Sequence, residues 1–398
     1  MSVKLMNKNR RVILHGYYGN ENLGDDAILL ATKAIFEYLP HVDLHVLGHT
    51  PHLMNTVVGE KIAKLPYGRT LLYKYHFKKM KEQVDKADAL ILGGGGILHD
   101  RKSRDVTKDV RLLLHMQSKR KPTMIYAVGV AGFWREKSKR LVKQAVENAR
   151  YVSCRDPASA KRIRNLGVTT PIDVTGDPSI RIPELLGLNP SIRHFDVQEM
   201  KVYVSLRKYY ANAQMIKALA KLVEFLVNKY NAKVDLVPLR TAWFDDDRVA
   251  LNGLYNRLDG SYRQSISLVR TRPLVQEFAK NLASTSIMIG MKLHSIILAS
   301  SMGVPCIALS YKQDVTDFMR YIKAEQYALS IAEACDSNVL IEKTEELLAS
   351  YTTVSKQLLQ NIKKIEEKTL LDEKAIKNIS GETNFERIKA SQQIHKVL

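Results

Sequence analysis

The chain has 398 residues, 45% hydrophobic and 26% charged, the composition of an ordinary globular protein long enough for two or three domains. Disorder, collagen and coiled coil are thereby excluded as the main architecture. Lys and Arg (61) outnumber Asp and Glu (41), giving a formal net charge of +20, for which nucleic acid, an anionic membrane surface and acidic small substrates compete.

Three cysteines, Cys154, Cys306 and Cys335, are too few for a disulfide framework and have no metal spacing, which fits a reducing cytosol. The basic start, MSVKLMNKNRR, runs into only a short apolar VIL, too little for a signal-peptide core. No apolar window approaches the roughly 18 residues of a membrane span. The expectation is a cytoplasmic chain.

In chain order, the first half offers strands at Val12–His15, Leu44–Leu47, Ala89–Leu92, Met124–Val128 and Tyr151–Cys154. A helix over 25–39 puts Ile28, Ala31, Ile35 and Leu39 on one face. The pattern restarts with strands at Val202–Leu206, Lys233–Val237, Ser265–Val269, Ile287–Ile289 and Cys306–Leu309, and helices near 212–229, 273–283 and 292–302. Apolar strands alternating with helices imply parallel sheets covered on both faces. Two series imply two doubly wound, Rossmann-like domains, 1–185 and 200–345, parted by the proline-bearing stretch 177–200. A helical C-terminal extension, 346–398, includes the amphipathic Val354–Leu371.

The first strand enters Gly16-Tyr-Tyr-Gly19-Asn-Glu-Asn-Leu-Gly24-Asp25-Asp26. This is a flexible turn at the carboxyl edge of a sheet, where open α/β folds bind ligands. Its spacing is not the dinucleotide G-x-G-x-x-G. Asp25 and Asp26 either cap the helix and complement its dipole or carry catalysis. A second run, Gly93-Gly94-Gly95-Gly96, follows the strand ending at Leu92. Four glycines let backbone N–H groups approach an anion at a helix start, the reading favoured here over a mere tight strand-to-helix turn.

Basic residues follow other strands: Arg155, Arg207, Lys292 with His294, and Lys312. One such residue is commonly a surface ion pair. Several at strand ends suit a small, multiply anionic ligand, because Arg forks bind carboxylate and phosphate bidentately. His41, His45 and His49 do not share a helical face, so no metal site is expected. Nucleic-acid binding rests on charge alone and is not expected.

GYYGNENLGDDAILLA (16–31), LGGGGILHD (92–100) and MKLHSIILASSMGVPCIALSYKQDV (291–315), supported by SCRDPAS (153–159), together resemble the polysaccharide pyruvyl transferase family. The resemblance implies two Rossmann-type domains in a GT-B-like arrangement, the first on the acceptor side and the second on the donor side. It implies transfer of pyruvate, as a cyclic ketal, from phosphoenolpyruvate to a sugar of a cell-surface polysaccharide or its lipid-linked precursor, with release of phosphate and no metal or redox cofactor. It implies that Arg155, Arg207 and Lys312 handle the donor's negative charge. His294 would assist its chemistry as general acid, and Asp25 would serve near the acceptor as base, with Lys292, Asp26 and Gly94–Gly96 also binding substrate. Lys292 stands where the family commonly has Arg, keeping the charge without the planar fork.

Two other readings stay open at this point: a nucleotide-sugar glycosyltransferase of the same layout, and a non-enzymatic basic protein on nucleic acid or membrane. Residues 1–150 hold 27 Lys and Arg against 14 Asp and Glu, concentrated in 61–81, 101–121 and 135–150. These stretches are either solvated faces or a surface for peripheral contact with the inner, anionic leaflet of the plasma membrane.

Overall fold

The computed structural model of the chain describes residues 9–58, 63–66, 73–100 and 106–381. The basic stretch 61–81 lies partly, and the tail from 382 wholly, outside the described residues.

Seven strands make the first sheet: β1 (Arg10–His15), β2 (Val42–Gly48), β3 (Ala63–Pro66), β4 (Ala89–His99), β5 (Thr123–Gly132), β6 (Tyr151–Cys154) and β7 (Asp173–Val174). Between them run α1 (Leu23–Phe36), α2 (Asn55–Val58), α3 (Tyr73–Lys86), α4 (Thr107–Ser118), α5 (Glu136–Glu147) and α6 (Pro157–Arg164). All pairings are parallel, in the order β3-β2-β1-β4-β5-β6-β7.

Alternation along the strands explains the two-sided cover. Ile13, Leu90, Leu92, Ile125 and Val152 enter one core, and Val12, Leu14, Ala89, Ile91, Met124 and Tyr151 enter the other. A period of two sends neighbours to opposite faces. Each buried side chain of this size contributes roughly 1.5–3 kcal/mol.

The second sheet contains β8 (Lys201–Ser205), β9 (Lys233–Leu236), β12 (Ile266–Leu268), β13 (Ile287–Gly290), β14 (Cys306–Ser310) and β15 (Ala328–Ser330). A two-stranded antiparallel hairpin, β10 (Thr241–Ala242) with β11 (Asp245–Asp246), is inserted between β9 and β12. The order is β12-β9-β8-β13-β14-β15, again all parallel. Renumbered along the chain, six strands of each sheet follow 3-2-1-4-5-6, the doubly wound order. The helices of this half are α7 (Ile182–Leu185), α8 (Ala213–Tyr230), α9 (Arg248–Arg257), α10 (Val275–Leu282), α11 (Leu293–Ser301), α12 (Gln313–Tyr321), α13 (Ser337–Ala349) and the long α14 (Tyr351–Ile379).

The chain divides into two compact units, neither continuous in sequence. Unit 1 is 1–20, 28–178 and 367–398; unit 2 is 21–27 and 179–366. The passage after 178 falls at the proline-bearing stretch, but Glu21–Ala27 belongs with the second unit. The end of α14 belongs with the first: Ala375, Ile376 and Ile379 pack into the core containing Val12 and Leu14. Asp372, fully buried there, has its carboxyl pushed up to about 7 by burial, against hydrogen bonds from the Ser153, Thr175 and Tyr151 side chains. No helix of the described residues is long and apolar enough to cross a membrane.

One expectation is corrected. The glycine run is not a strand-to-helix turn; it lies inside β4, which continues to His99, and the next helix begins only at Thr107. With no Cβ, Gly94 (φ 73°) and Gly95 (φ 80°) adopt left-handed backbone. The pairing with β5 slips between Gly95 and Leu98, so the strand absorbs the irregularity as a bulge instead of ending.

Candidate functional site

In a doubly wound sheet, the crevice opens at the carboxyl ends of the two strands where the order reverses. In unit 2 these are β8 and β13, paired from Ile287–Val202 to Gly290–Ser205. Arg207 follows one and Lys292 with His294 the other, as the strand-end reading expects. Lys312 follows β14 as the N-cap residue of α12, its Nζ 5.2 Å from the Tyr311 ring centroid.

Arg207 is held in a fixed pose. Its NH1 donates to the Tyr311 hydroxyl at 2.8 Å and its NH2 to Asp245 Oδ2 at 2.7 Å. It also lies over the rings of Tyr210 (5.6 Å) and Tyr311 (5.3 Å). Burial works against its charge, but Tyr311 and Asp245 outweigh it and raise the pKa, so the cation is permanent. The buried Arg207 Nε–H has no protein acceptor.

The same Asp245 oxygen accepts from Arg240 NH1 at 3.2 Å. Beside it, Asp247 Oδ2 accepts from the backbone N–H groups of Leu239 (3.0 Å) and Arg240 (2.8 Å) and pairs with Lys292 Nζ at 2.8 Å. Lys292 and Asp247 are both buried. Burial pushes the lysine pKa down and the aspartate pKa up, and each partner pulls the other back. Lys292, expected on the substrate, therefore has its amine engaged with Asp247.

The first-loop segment joins this cluster within unit 2. Leu23 N–H donates to Leu239 O at 2.9 Å, and Asn22 forms a bridge with Arg240. Glu21 holds a left-handed backbone, φ 50°. Asp25 accepts from Asn22 Nδ2 at 2.5 Å. Asp26 pairs with Arg272 at 2.6 Å. Burial pushes the Asp26 carboxyl up to about 6, with Arg272 opposing and Asp25 adding to the rise.

Gly24 is fixed by its neighbour: a Cβ there would lie 2.1 Å from His294 Nδ1. The imidazole thus occupies the space a side chain at 24 would need. Every residue of the nine-residue helix α11 is buried except half-buried His294, in its first turn. Unit 2 brings together Asp25, Asp26, Arg207, Lys292 and His294.

Arg155 and Gly94–Gly96 lie in unit 1. Arg155 is buried, 3.5 Å from Asp156 and 3.6 Å from Asp177. Its guanidinium covers Gly129, where a Cβ would come within 2.6 Å of it. Gly93 and Gly94 make room for internal packing: a Cβ would meet Tyr126 at 2.5 Å or Ile28 at 2.1 Å. The Tyr18 hydroxyl donates to Gly93 O at 2.7 Å. Gly96 is exposed, and a Cβ there would lie 3.9 Å from the Arg155 guanidinium.

The sequence reading missed Arg240, Arg272, Asp245 and Asp247. Arg240 and Arg272 each follow an expected strand by three residues, the same signal that found Arg207. The aspartates stand in FDDD, which has no periodicity to mark it.

The architecture has solved counterparts. A protein from Listeria monocytogenes, assigned as a UDP-N-acetylglucosamine 2-epimerase, matches with a TM-score of 0.66 at 14% identity, over 94% of this chain and 97% of that one. A UDP-GlcNAc 2-epimerase from Neisseria meningitidis, bound to UDP-GlcNAc, gives 0.58 at 13% identity over 91% and 100%. A UDP-glucose:anthocyanidin 3-O-glucosyltransferase in complex with UDP gives 0.62 at 12% identity over 95% and 100%. The fold is therefore GT-B-like, with two Rossmann-type sheets and a helical C-terminal region. No curated protein sequence matches the chain. The family model of polysaccharide pyruvyl transferases matches residues 22–313, a span holding Asp25, Asp26, Arg155, Arg207, Lys292, His294 and Lys312, and the chain belongs to that family of transferases.

Proposed function

We propose that the chain transfers pyruvate from phosphoenolpyruvate onto two hydroxyls of one sugar in a cell-surface polysaccharide or its lipid-linked precursor, forming a cyclic ketal and releasing phosphate. The observation that carries this reading is the convergence of cations on one sheet edge. The strands β8, β9, β12, β13 and β14 are each followed by Arg or Lys in unit 2, and the buried Arg207 Nε–H awaits an acceptor. A donor bearing a carboxylate and a phosphate meets that demand.

The steps assigned to side chains are these. His294 protonates the donor's methylene carbon, leaving an oxocarbenium-like centre. Asp25 takes the proton of the attacking sugar hydroxyl. Phosphate leaves as the second hydroxyl closes the ring and carries off that hydroxyl's proton, its charge met by Arg207, Lys312 and the N-terminus of α11; the proton held by Asp25 replaces, through solvent, the one His294 gave up. Lys292 and Asp26 position this set through Asp247 and Arg272. The reaction so written needs no metal or redox cofactor.

Phosphate release from phosphoenolpyruvate against a panel of β-linked hexose and N-acetylhexosamine acceptors tests the proposal. Release of UDP or GDP from a nucleotide sugar, with none of phosphate from phosphoenolpyruvate, would replace it.

Peripheral contact with an anionic membrane belongs to the same proposal. Trp134 is 79% exposed, beside exposed Arg135, Lys137 and Arg140. Asp100 fixes that loop by accepting the N–H groups of Trp134 (2.5 Å) and Arg135 (2.9 Å). An aromatic among cations suits a headgroup layer. Binding to anionic vesicles that falls with salt and in Trp134→Ala supports it; equal binding to neutral vesicles removes it.

A further inference from the structure

The chain has two tryptophans. Trp243, at the tip of the β10–β11 hairpin, is 88% exposed. Trp243 and Phe244 are the two turn residues between Ala242 and Asp245. Tight hairpin turns ordinarily take Asn, Asp or Gly, so two large aromatics there serve neither the turn nor a core. Phe244 is 37% exposed, and the neighbouring Tyr209 is 61% exposed.

The hairpin is nonetheless rigidly held. The Tyr209 hydroxyl donates to Phe244 O. Arg240 lies over the Phe244 ring at 4.8 Å, and the Trp243 and Phe244 rings meet edge to face at 5.7 Å. Asp245 ties the second strand to Arg207 and Arg240. Asp246 pairs with Arg248 at 2.7 Å. Preorganised exposed aromatics lose little entropy when something stacks on them.

Its place in the cluster suggests what stacks. Thr241 N–H at the hairpin's base donates to Glu21 O at 3.4 Å, and Asn22 bridges to Arg240. The segment carrying Asp25 thus runs beside the base of the hairpin. At the other side, Trp243 is two residues from Asp245, so their Cα atoms are within about 7 Å, and Asp245 touches Arg207. An aromatic platform on a hairpin bonded both to the segment of the proposed base and to the proposed donor clamp is within reach of an acceptor sugar.

We infer that the Trp243–Phe244 turn is the acceptor subsite, with the apolar C–H face of a pyranose ring stacking on the Trp243 indole. A pyranose presents such a face, and its hydroxyls, directed outward from the ring edge, suit the polar groups of Tyr209, Lys208 and Arg240 around the turn. This inference rests on the acceptor being a sugar, as the proposed function has it.

The test uses the full chain without phosphoenolpyruvate, on an array of β-linked hexose and N-acetylhexosamine oligosaccharides and on phosphatidylglycerol vesicles. Retention of one or more glycans, weakened by about tenfold or more in Trp243→Ala (about 1.4 kcal/mol) and largely restored in Trp243→Phe, supports the subsite. Equal glycan binding by wild type and Trp243→Ala overturns it, as does no glycan binding by wild type. Vesicle binding lost in Trp243→Ala, without glycan binding, overturns it in favour of a membrane contact. A kinetic arm separates the two readings. A raised acceptor KM in Trp243→Ala at unchanged phosphoenolpyruvate KM supports both. Trp243-dependent glycan binding without phosphate release keeps the subsite and loses the donor assignment.

Discussion

The two sheets share one strand order, yet their carboxyl edges are furnished differently. In unit 1 the edge is closed by packing: Gly93 and Gly94 are occupied by Tyr126 and Ile28, Tyr18 bonds Gly93 O, and Arg155 lies between Asp156 and Asp177. In unit 2 the edge carries Arg207, Arg240, Arg272, Lys292 and Lys312, with His294 in the first turn of α11. Topology says where a crevice can form; only the side chains at its rim say whether it works on an anion.

Arg207→Ala presses hardest on this contrast. Phosphate release should fall by about 10²–10³-fold, while the thermal midpoint hardly moves because Arg240 still pairs with Asp245. Normal turnover would remove unit 2's edge from the chemistry.

The mirror experiment is Arg155→Ala, which strips a buried cation from two buried carboxylates and should destabilise the fold by about 3–5 kcal/mol, read by denaturant midpoint. If a folded Arg155→Lys instead raised the phosphoenolpyruvate KM, Arg155 would regain the donor role that the family resemblance implies, and the contrast would blur.

A subtler probe is Gly24→Ala, whose methyl must displace the His294 ring. Activity should drop by roughly tenfold to a hundredfold, in the range of a misplaced general acid, with folding retained. Gly94→Ala, by contrast, should cost about 1–3 kcal/mol of stability through Ile28 and the left-handed backbone.

The same contrast can be read through pH dependence. In the folded chain Asp26 holds its proton up to about pH 6 and Asp372 up to about 7, against an ordinary 3.8. Above 3.8 the folded state keeps protons that the unfolded state has lost. Their contribution to stability is therefore full below the ordinary value and disappears as pH rises through 6 and 7. Asp372→Asn should flatten the higher part of that slope, and Asp26→Asn the lower. An unchanged slope in Asp372→Asn would place the titration elsewhere.

Much of this molecule was legible in the sequence because buried parallel strands are short apolar runs with helices between them. Tyr151–Cys154 has the same bounds in both readings, and basic residues just past strands marked Arg207 and Lys312 as strand-end residues. What escaped depends on long-range pairing. β4 runs through four glycines because β5 lies alongside it, and no local signal distinguishes that from a turn. The hairpin strands are two residues each, DD among them, too short and too polar to show a period. Lys292 reads as a free cation until Asp247, 45 residues earlier, is seen to hold it.

The interleaving of the two units also sets a timetable. Glu21–Ala27 leaves the ribosome 180 residues ahead of β8, so at about 5–20 residues per second it waits roughly ten to forty seconds for the sheet it joins. The apolar face built on Val12, Leu14 and Ile91 waits longer still, because Ala375, Ile376 and Ile379 are made only after the whole of unit 2. A nascent chain stopped near residue 366 would carry an uncovered apolar face, ready for a chaperone or for another such chain. Neither half can be finished on the ribosome before the other is nearly complete.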